Sequence, residues 1–174
     1  MAHEQHYSSK KIILVLDTTA FIAKYQLQAY SPFVEIYTTP SVIQEAKDRE
    51  SRDSLQLSLD IGRVFIKTPS KNTISEVVKV AREIGEHTSL SQTDIEVIAL
   101  AKELSRKGKV IVITDDYSIQ NTLLYLGISF KPLRTMGIKY FRKYVVRCPK
   151  CGYTTSSNET ICPICDSRLV KKSS

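Results

Sequence analysis

The chain has 174 residues, 42% of them hydrophobic, and a net charge of +7, enough for one ordinary core and a small additional module. The charge is uneven: residues 1–130 carry 15 Lys+Arg against 16 Asp+Glu, whereas residues 131–174 carry 10 against 2. A tail this basic points to a polyanion such as nucleic acid. A membrane partner is not expected, because the longest apolar run, Ile12–Leu16, is far shorter than the ~18 residues of a spanning helix.

Met1–Lys10 is a polar lead without an apolar signal region, so a cytoplasmic protein is expected. Lys11–Leu16 then reads as a buried strand stopped by Asp17, with a helix-like Thr18–Lys24 after it. A second strand, Val34–Thr38, runs into Thr39-Pro40, a capping residue followed by proline at the first helical position. Glu45 falls in the second turn of that helix. Residues 52–61 suggest another helix and Val64–Lys67 a short strand.

Helical spacing over Ser75–Ile84 ends at Gly85, and a polar loop places His87 at the surface. Ser91-Gln92-Thr93-Asp94 opens the clearest helix, which closes at Arg106-Lys107-Gly108. Val110–Ile113 is the next strand, with Thr114-Asp115-Asp116 at its end. A helix through Ile119, Leu123 and Leu126 stops at Gly127, and a last strand lies near Ile128–Phe130. Strands alternating with helices predict an α/β domain over residues 11–130, a mostly parallel sheet with helices on both faces. Sites in such sheets lie beyond the carboxyl ends of the strands.

Asp17 and Asp115 are placed at that edge directly, and Glu45 and Asp94 stand on helices that can bring them to it. Each acid also has a local explanation. Asp94 completes a capping-box pattern with Ser91, Asp17 and Asp115 or Asp116 can cap the helices that follow them, and Glu45 can be a solvated helix residue. Together they form a costlier set, since carboxylates sharing a cleft repel one another unless protons or cations neutralise them. Oxygen ligands of this kind suit Mg²⁺ or Mn²⁺, and two such ions can support in-line attack of water on a phosphodiester. Position 19 is Thr, not the second Asp of a phosphoaspartate phosphatase, and no Gly-rich phosphate loop is present.

All four cysteines lie in the tail, in two C-x₂-C knuckles ten residues apart, Cys148/Cys151 and Cys162/Cys165. Two disulfides in so short a cytosolic segment would be unusual. Two knuckles instead complete a closed tetrahedral Zn²⁺ site, structural because no coordination position stays open. Residues 131–147 form a basic and aromatic connector into a ribbon and basic tail over 148–174. Lys139, Arg142, Lys143, Arg147 and Lys150 are expected to contact RNA phosphates, whereas the aromatics between them are expected to pack.

Four segments taken in order, Val15–Ile22, Thr39–Glu45, Leu90–Asp94 and Ile113–Tyr117, resemble the successive acidic motifs of PIN-domain nucleases. With Gln120-Asn121 after the late acidic pair and a zinc ribbon behind, the chain is similar to the Nob family, and its compact length resembles the archaeal members. The resemblance implies an endoribonuclease that cuts precursor small-subunit rRNA to its mature 3′ end on the small-subunit precursor, together with assembly factors. It makes Asp17, Glu45, Asp94 and Asp115 the catalytic metal ligands, Thr18 and Thr114 supporting hydroxyls and Asp116 a carboxylate behind them. Two rivals remain open: a non-catalytic RNA-binding assembly factor, and a general or toxin-like PIN ribonuclease.

Overall fold

A computed structural model describes residues 11–29, 31–46, 64–155 and 159–173. The helix expected over 52–61 lies outside these residues. Five strands, β1 (Ile12–Leu16), β2 (Val34–Thr38), β3 (Val64–Ile66), β4 (Val110–Ile113) and β5 (Ser129–Lys131), form a sheet in the order β3-β2-β1-β4-β5. Every pairing is parallel. Strand β1 is central, and Val15 and Leu16 are fully buried, which accounts for its unbroken apolar run.

The helices are α1 (Thr18–Ile22), α2 (Tyr25–Gln28), α3 (Pro40–Glu45), α4 (Lys71–Ile84), α5 (Gln92–Leu104) and α6 (Tyr117–Tyr125). Helix α5 has the deepest contact with the sheet, burying Val97, Ile98, Leu100 and Leu104 in one core with Phe21, Ile113 and Leu123. Several boundaries differ from the sequence pattern. The first helix breaks at Lys24, whose φ of 57° is left-handed, so α1 and α2 are separate turns. Helix α4 begins at Lys71 because the Ser70 side chain accepts the Thr73 N–H, a cap that apolar spacing does not register. Strand β5 is displaced by one residue toward Lys131.

The C-terminal part is a three-stranded antiparallel sheet, β7-β6-β8, formed by β6 (Tyr144–Arg147), β7 (Thr154–Thr155) and β8 (Val170–Ser173). Its small core is Cys148, Cys162 and Leu169, with Val146, Tyr153 and Cys165 against it. Thus the fold is a PIN-like parallel sheet flanked by helices, with a small cysteine-bearing ribbon. Among the described residues no helix is long and apolar enough to cross a membrane.

Sheet and ribbon meet at a polar junction. Glu86 is only 2% exposed. Its Oε2 pairs with Lys171 Nζ at 2.6 Å, and its Oε1 accepts from Asn121 Nδ2 at 2.8 Å. Asn121 also donates to the Arg142 carbonyl and accepts the Arg142 N–H, both at 2.8 Å. Gln120 accepts the Ile138 N–H at 3.0 Å while donating to the Thr114 carbonyl. A buried carboxylate is tolerated only when paired and hydrogen-bonded, and here the partners come from β8 and α6, with Asn121 of α6 held in turn by the connector. Gly85, with φ 75°, ends α4 directly below the Tyr144 backbone; a Cβ there would overlap the Tyr144 carbonyl oxygen.

Substituting Gly85→Ala therefore combines left-handed strain, about 1–2 kcal/mol, with a backbone clash. The variant is expected to lose at least 2 kcal/mol in denaturant unfolding, at the upper end of such strain. Limited proteolysis should then cut at Lys139, Arg142 or Lys143 in the connector at protease levels that leave the parent chain intact.

Candidate active site and cysteine centre

Strands β1 and β4 are neighbours, with Leu16 opposite Ile113. The next residue on each, Asp17 and Thr114, therefore emerges side by side at the carboxyl edge of the sheet. This is also the point where strand order reverses from β1–β2 to β1–β4, the usual crevice of an open α/β sheet. Asp17 is 4% exposed. Its Oδ1 accepts the Ala20 N–H at 2.7 Å, and the Thr19 hydroxyl reaches both carboxylate oxygens at 2.9 and 3.0 Å. Burial raises its pKa, against hydrogen bonds from Thr114, Ala20 and Thr19, and the charge of Asp94 raises it further.

Asp94 occupies the third position of α5 in a complete capping box. Ser91 Oγ accepts the Asp94 N–H at 3.1 Å, and Asp94 Oδ2 accepts the Ser91 N–H at 2.7 Å. Capping engages one carboxylate oxygen, so it does not preclude a second role for the other. Desolvation raises its pKa as well; hydrogen bonds from Ser91 oppose this, while repulsion from Asp116 and Glu45 adds to it. Glu45, exposed in the last turn of α3, accepts the Thr18 hydroxyl at 2.7 Å. Ser41 of α3 donates to Glu96 Oε2 of α5 at 2.7 Å, which ties together the two helices that carry Glu45 and Asp94.

The two members of the late acidic pair face different ways. Asp115 Oδ1 accepts the backbone N–H groups of Leu133, Arg134 and Thr135 at 2.8, 2.9 and 3.1 Å, and the Thr135 hydroxyl at 3.2 Å. Burial opposes its ionisation, but these donors outweigh it and hold its carboxyl below the ordinary value. Asp116 caps α6, with Oδ1 accepting from Ser118 N and Ile119 N, and it is the one whose charge acts on Asp94. Thr114 links the two strands' ends by accepting the Asp116 N–H at 3.1 Å and bonding to the Asp17 carboxylate.

Charge repulsion thus links Asp94 to Asp17, Asp116 and Glu45, with Thr18 bonded to Glu45 and Thr114 to Asp17, while Asp115 turns one carboxylate oxygen, Oδ1, to the 133–135 loop. These acids do not close to the spacing of a finished metal cage. Among the described residues, the cysteines are the group of three or more such donors whose ligand atoms all lie within 4.8 Å of one another. An oxygen-donor set with two carboxyls destabilised by burial and mutual repulsion fits a hard divalent cation, which would relieve both costs.

Cys148, Cys151, Cys162 and Cys165 are all free thiols. Cys148 and Cys165 sulfurs are 3.4 Å apart and Cys151 and Cys162 sulfurs 3.5 Å, close to the about 3.8 Å edge of a tetrahedron with metal–sulfur bonds of ~2.3 Å. The knuckles repeat one turn. Cys148 N donates to Tyr153 O and Gly152 N to Cys148 O, while Cys162 N donates to Ser167 O and Asp166 N to Cys162 O. Gly152 and Asp166 hold the matching left-handed positions, at φ 80° and 54°. Both turns aim two sulfurs inward, so the site fits a structural tetrahedral metal.

Lys139, Arg142, Lys143, Arg147 and Lys150 are all exposed. Of the aromatics among them, Phe141 packs on Tyr125 at 5.3 Å between ring centroids, and Tyr144 lies under Lys171 at 4.5 Å, while Tyr140 is 79% exposed. His87, expected at the surface, is half-buried with its Nδ1 enclosed and without a hydrogen-bond partner among the described residues. The sequence reading missed Glu86 and Lys171. The signal available was a lone acid after a helix-ending glycine, which does not reveal a partner 85 residues away.

The family model for the PIN domain of ribonuclease matches residues 14–104. An "Endoribonuclease Nob1" of Pyrococcus abyssi is 39% identical over 159 residues, covering 90% of this chain and 91% of that protein. Its counterpart in Methanothermobacter thermautotrophicus is 40% identical over 160 residues, covering 91% of each. The Saccharomyces cerevisiae "20S-pre-rRNA D-site endonuclease NOB1" is 34% identical over 94 residues, 54% of this chain and 20% of that protein. With the acidic crevice and cysteine ribbon of this fold, these matches show that the chain belongs to the Nob1 family of PIN-domain endoribonucleases.

Proposed function

We propose that the chain is a Mg²⁺- or Mn²⁺-dependent endoribonuclease that cleaves precursor small-subunit rRNA at its 3′ junction, acting in the cytoplasm on the small-subunit precursor. The observation that carries the reading is the pairing of β1 with β4, which brings Asp17 and Thr114 to adjacent strand ends; Glu45, bonded to Thr18 of the helix after Asp17, and the tie between the helices of Glu45 and Asp94 support it. The rRNA substrate is drawn from the function named for the yeast relative, and the basic connector and ribbon are in keeping with a polyanionic partner.

In this reading Asp17, Asp94, Glu45 and Asp116 hold the divalent cation, and Asp115 organises the loop after β5. When bound, that cation supplies a water nucleophile at neutral pH and neutralises charge on the leaving oxygen. Thr114 and Thr19 fix the orientation of the Asp17 carboxylate, and Thr18 that of Glu45. Zn²⁺ held by the four cysteines shapes the ribbon, whose exposed Arg147 and Lys150, with Lys139, Arg142 and Lys143 of the connector, bind RNA phosphates.

The direct test is cleavage of a small-subunit rRNA 3′-junction substrate with Mn²⁺. Asp94→Asn should cut at least about a hundred-fold more slowly, comparable to removal of one charge-stabilising group, yet bind the RNA with unchanged affinity. Equal cleavage by the variant contradicts the reading. Asp116→Asn should lower cleavage to a similar degree, whereas Asp115→Asn should chiefly lower thermal stability.

The raised pKa values of Asp17 and Asp94 fix the sign of the pH dependence. Protons compete with the cation, so at subsaturating Mn²⁺ cleavage should rise with pH through the elevated carboxyl range and then level. Without divalent ions, a carboxyl whose folded pKa is raised contributes stability at low pH that is lost as pH rises through that pKa. Asp17→Asn should therefore melt higher than the parent chain at neutral pH in EDTA, and Mn²⁺ should raise the melting temperature of the parent only.

Elemental analysis should find one zinc per chain. A strong chelator should release it and unfold the ribbon, seen as proteolysis after Lys150 and weakened RNA binding. Unfolding of the parallel sheet should remain a separate, later transition.

A further inference from the structure

Between the PIN sheet and the ribbon lies a cavity of about 530 Å³ that none of Asp17, Glu45, Asp94 and Asp116 lines. Its volume is in the range of small-ligand sites. One wall begins with Tyr117 and Ser118 of α6, the residues directly after Asp116. Tyr117 is therefore the immediate chain neighbour of an acid of the candidate active site, which puts this wall of the cavity beside the acidic edge. Tyr117 is 53% exposed, so its ring is accessible from solvent at the rim of this cavity.

The polar groups around the cavity are asymmetrically satisfied. Glu86 is neutralised by Lys171, and Asn121 is saturated by Glu86 and the Arg142 backbone. Tyr144 has the Lys171 ammonium over its ring. Two groups are left over. Arg142 lines the cavity and its guanidinium makes no ion pair or hydrogen bond among the described residues, and the Tyr117 ring has no ring or cation contact among them. A cation without an anion and an aromatic face without a cover, in a space of this size, match the phosphate and the base of a single unpaired nucleotide.

We propose that this junction cavity is a nucleotide subsite that takes one unstacked base of single-stranded RNA next to the scissile phosphate, with Tyr117 stacking on the base and Arg142 binding its phosphate. The proposal rests on the reading of the acids as the cutting site. It assigns a function to the Glu86–Lys171 pair, which closes the floor of the subsite without leaving a negative charge to repel the strand. Register follows from this arrangement: the cut falls a fixed number of nucleotides from the seated base because the same junction holds the ribbon.

The probe is a set of single-stranded RNAs spanning the 3′ junction, each with 2-aminopurine at one position, bound to the full chain carrying Asp94→Asn so that no cleavage intervenes. Stacking should quench fluorescence at one position beside the junction. Adding Tyr117→Ala should abolish that quench and weaken binding about five- to ten-fold, the low end of measured base–aromatic stacking. Tyr117→Phe, which keeps the ring, should restore both. Arg142→Ala should weaken binding with a shallower salt dependence, since one phosphate contact is lost.

A quench that is equal at all positions, or unchanged by Tyr117→Ala, overturns the subsite. The cutting assignment is tested separately, because the quench requires no cleavage and Asp94 lies outside the cavity. With an active site, Tyr117→Ala should raise KM and spread cleavage over neighbouring phosphodiesters; a clean loss of kcat at one unchanged position also counts against the proposal.

Discussion

Parallel pairing of β1 with β4 is the constraint on which the site depends. Leu16 opposite Ile113 places Asp17 and Thr114 at adjacent strand ends, and the Thr114 hydroxyl then joins the Asp17 carboxylate to the backbone of Asp116. A one-residue slip would exchange the two faces of β1, both of them buried, and so misfit every one of its side chains in a close-packed core. Register is therefore enforced by the core, which includes Val15, Leu16, Val112 and Ile113, all fully buried. The acids at the rim are positioned by residues that have no chemistry of their own.

The same core makes the acids expensive. Asp17 is driven into a place where its charged form is disfavoured, and Asp94 is repelled by Asp116 and Glu45. Local hydrogen bonds from Thr19, Ala20 and Ser91 reduce this cost without removing it. A site whose ionised form is unstable alone and stable with a cation is coupled to metal binding by its electrostatics. The cysteine ribbon follows a different logic: two copies of one knuckle turn hold its sulfurs near tetrahedral spacing, where a metal would substitute for the core that so few residues cannot build.

Legibility in the sequence followed the range of the interaction. The strands were readable because a buried parallel strand is continuously apolar, and the Ser91–Asp94 capping box because it is complete within four residues. The knuckles were readable from spacing alone. Orientation within Asp115-Asp116 was not, since both residues fit a strand end, and the choice is made by backbone donors at 133–135 that lie beyond β5. Glu86 was likewise opaque, its partner Lys171 being at the far end of the chain. Helix boundaries shifted where a side-chain cap at Ser70 or a left-handed Lys24 overrode apolar periodicity.

The central claim is that Asp17, Asp94, Glu45 and Asp116 hold the catalytic cation while Asp115 serves the fold. Anomalous diffraction from Mn²⁺-soaked crystals measures this directly. The account predicts a manganese peak at the carboxyl edge of β1 and β4, within bonding distance of Asp17, Asp94 or Asp116 oxygens, with Asp115 still on the 133–135 backbone. A peak bound by Asp115 instead of Asp116, or manganese found only away from that edge, would contradict it.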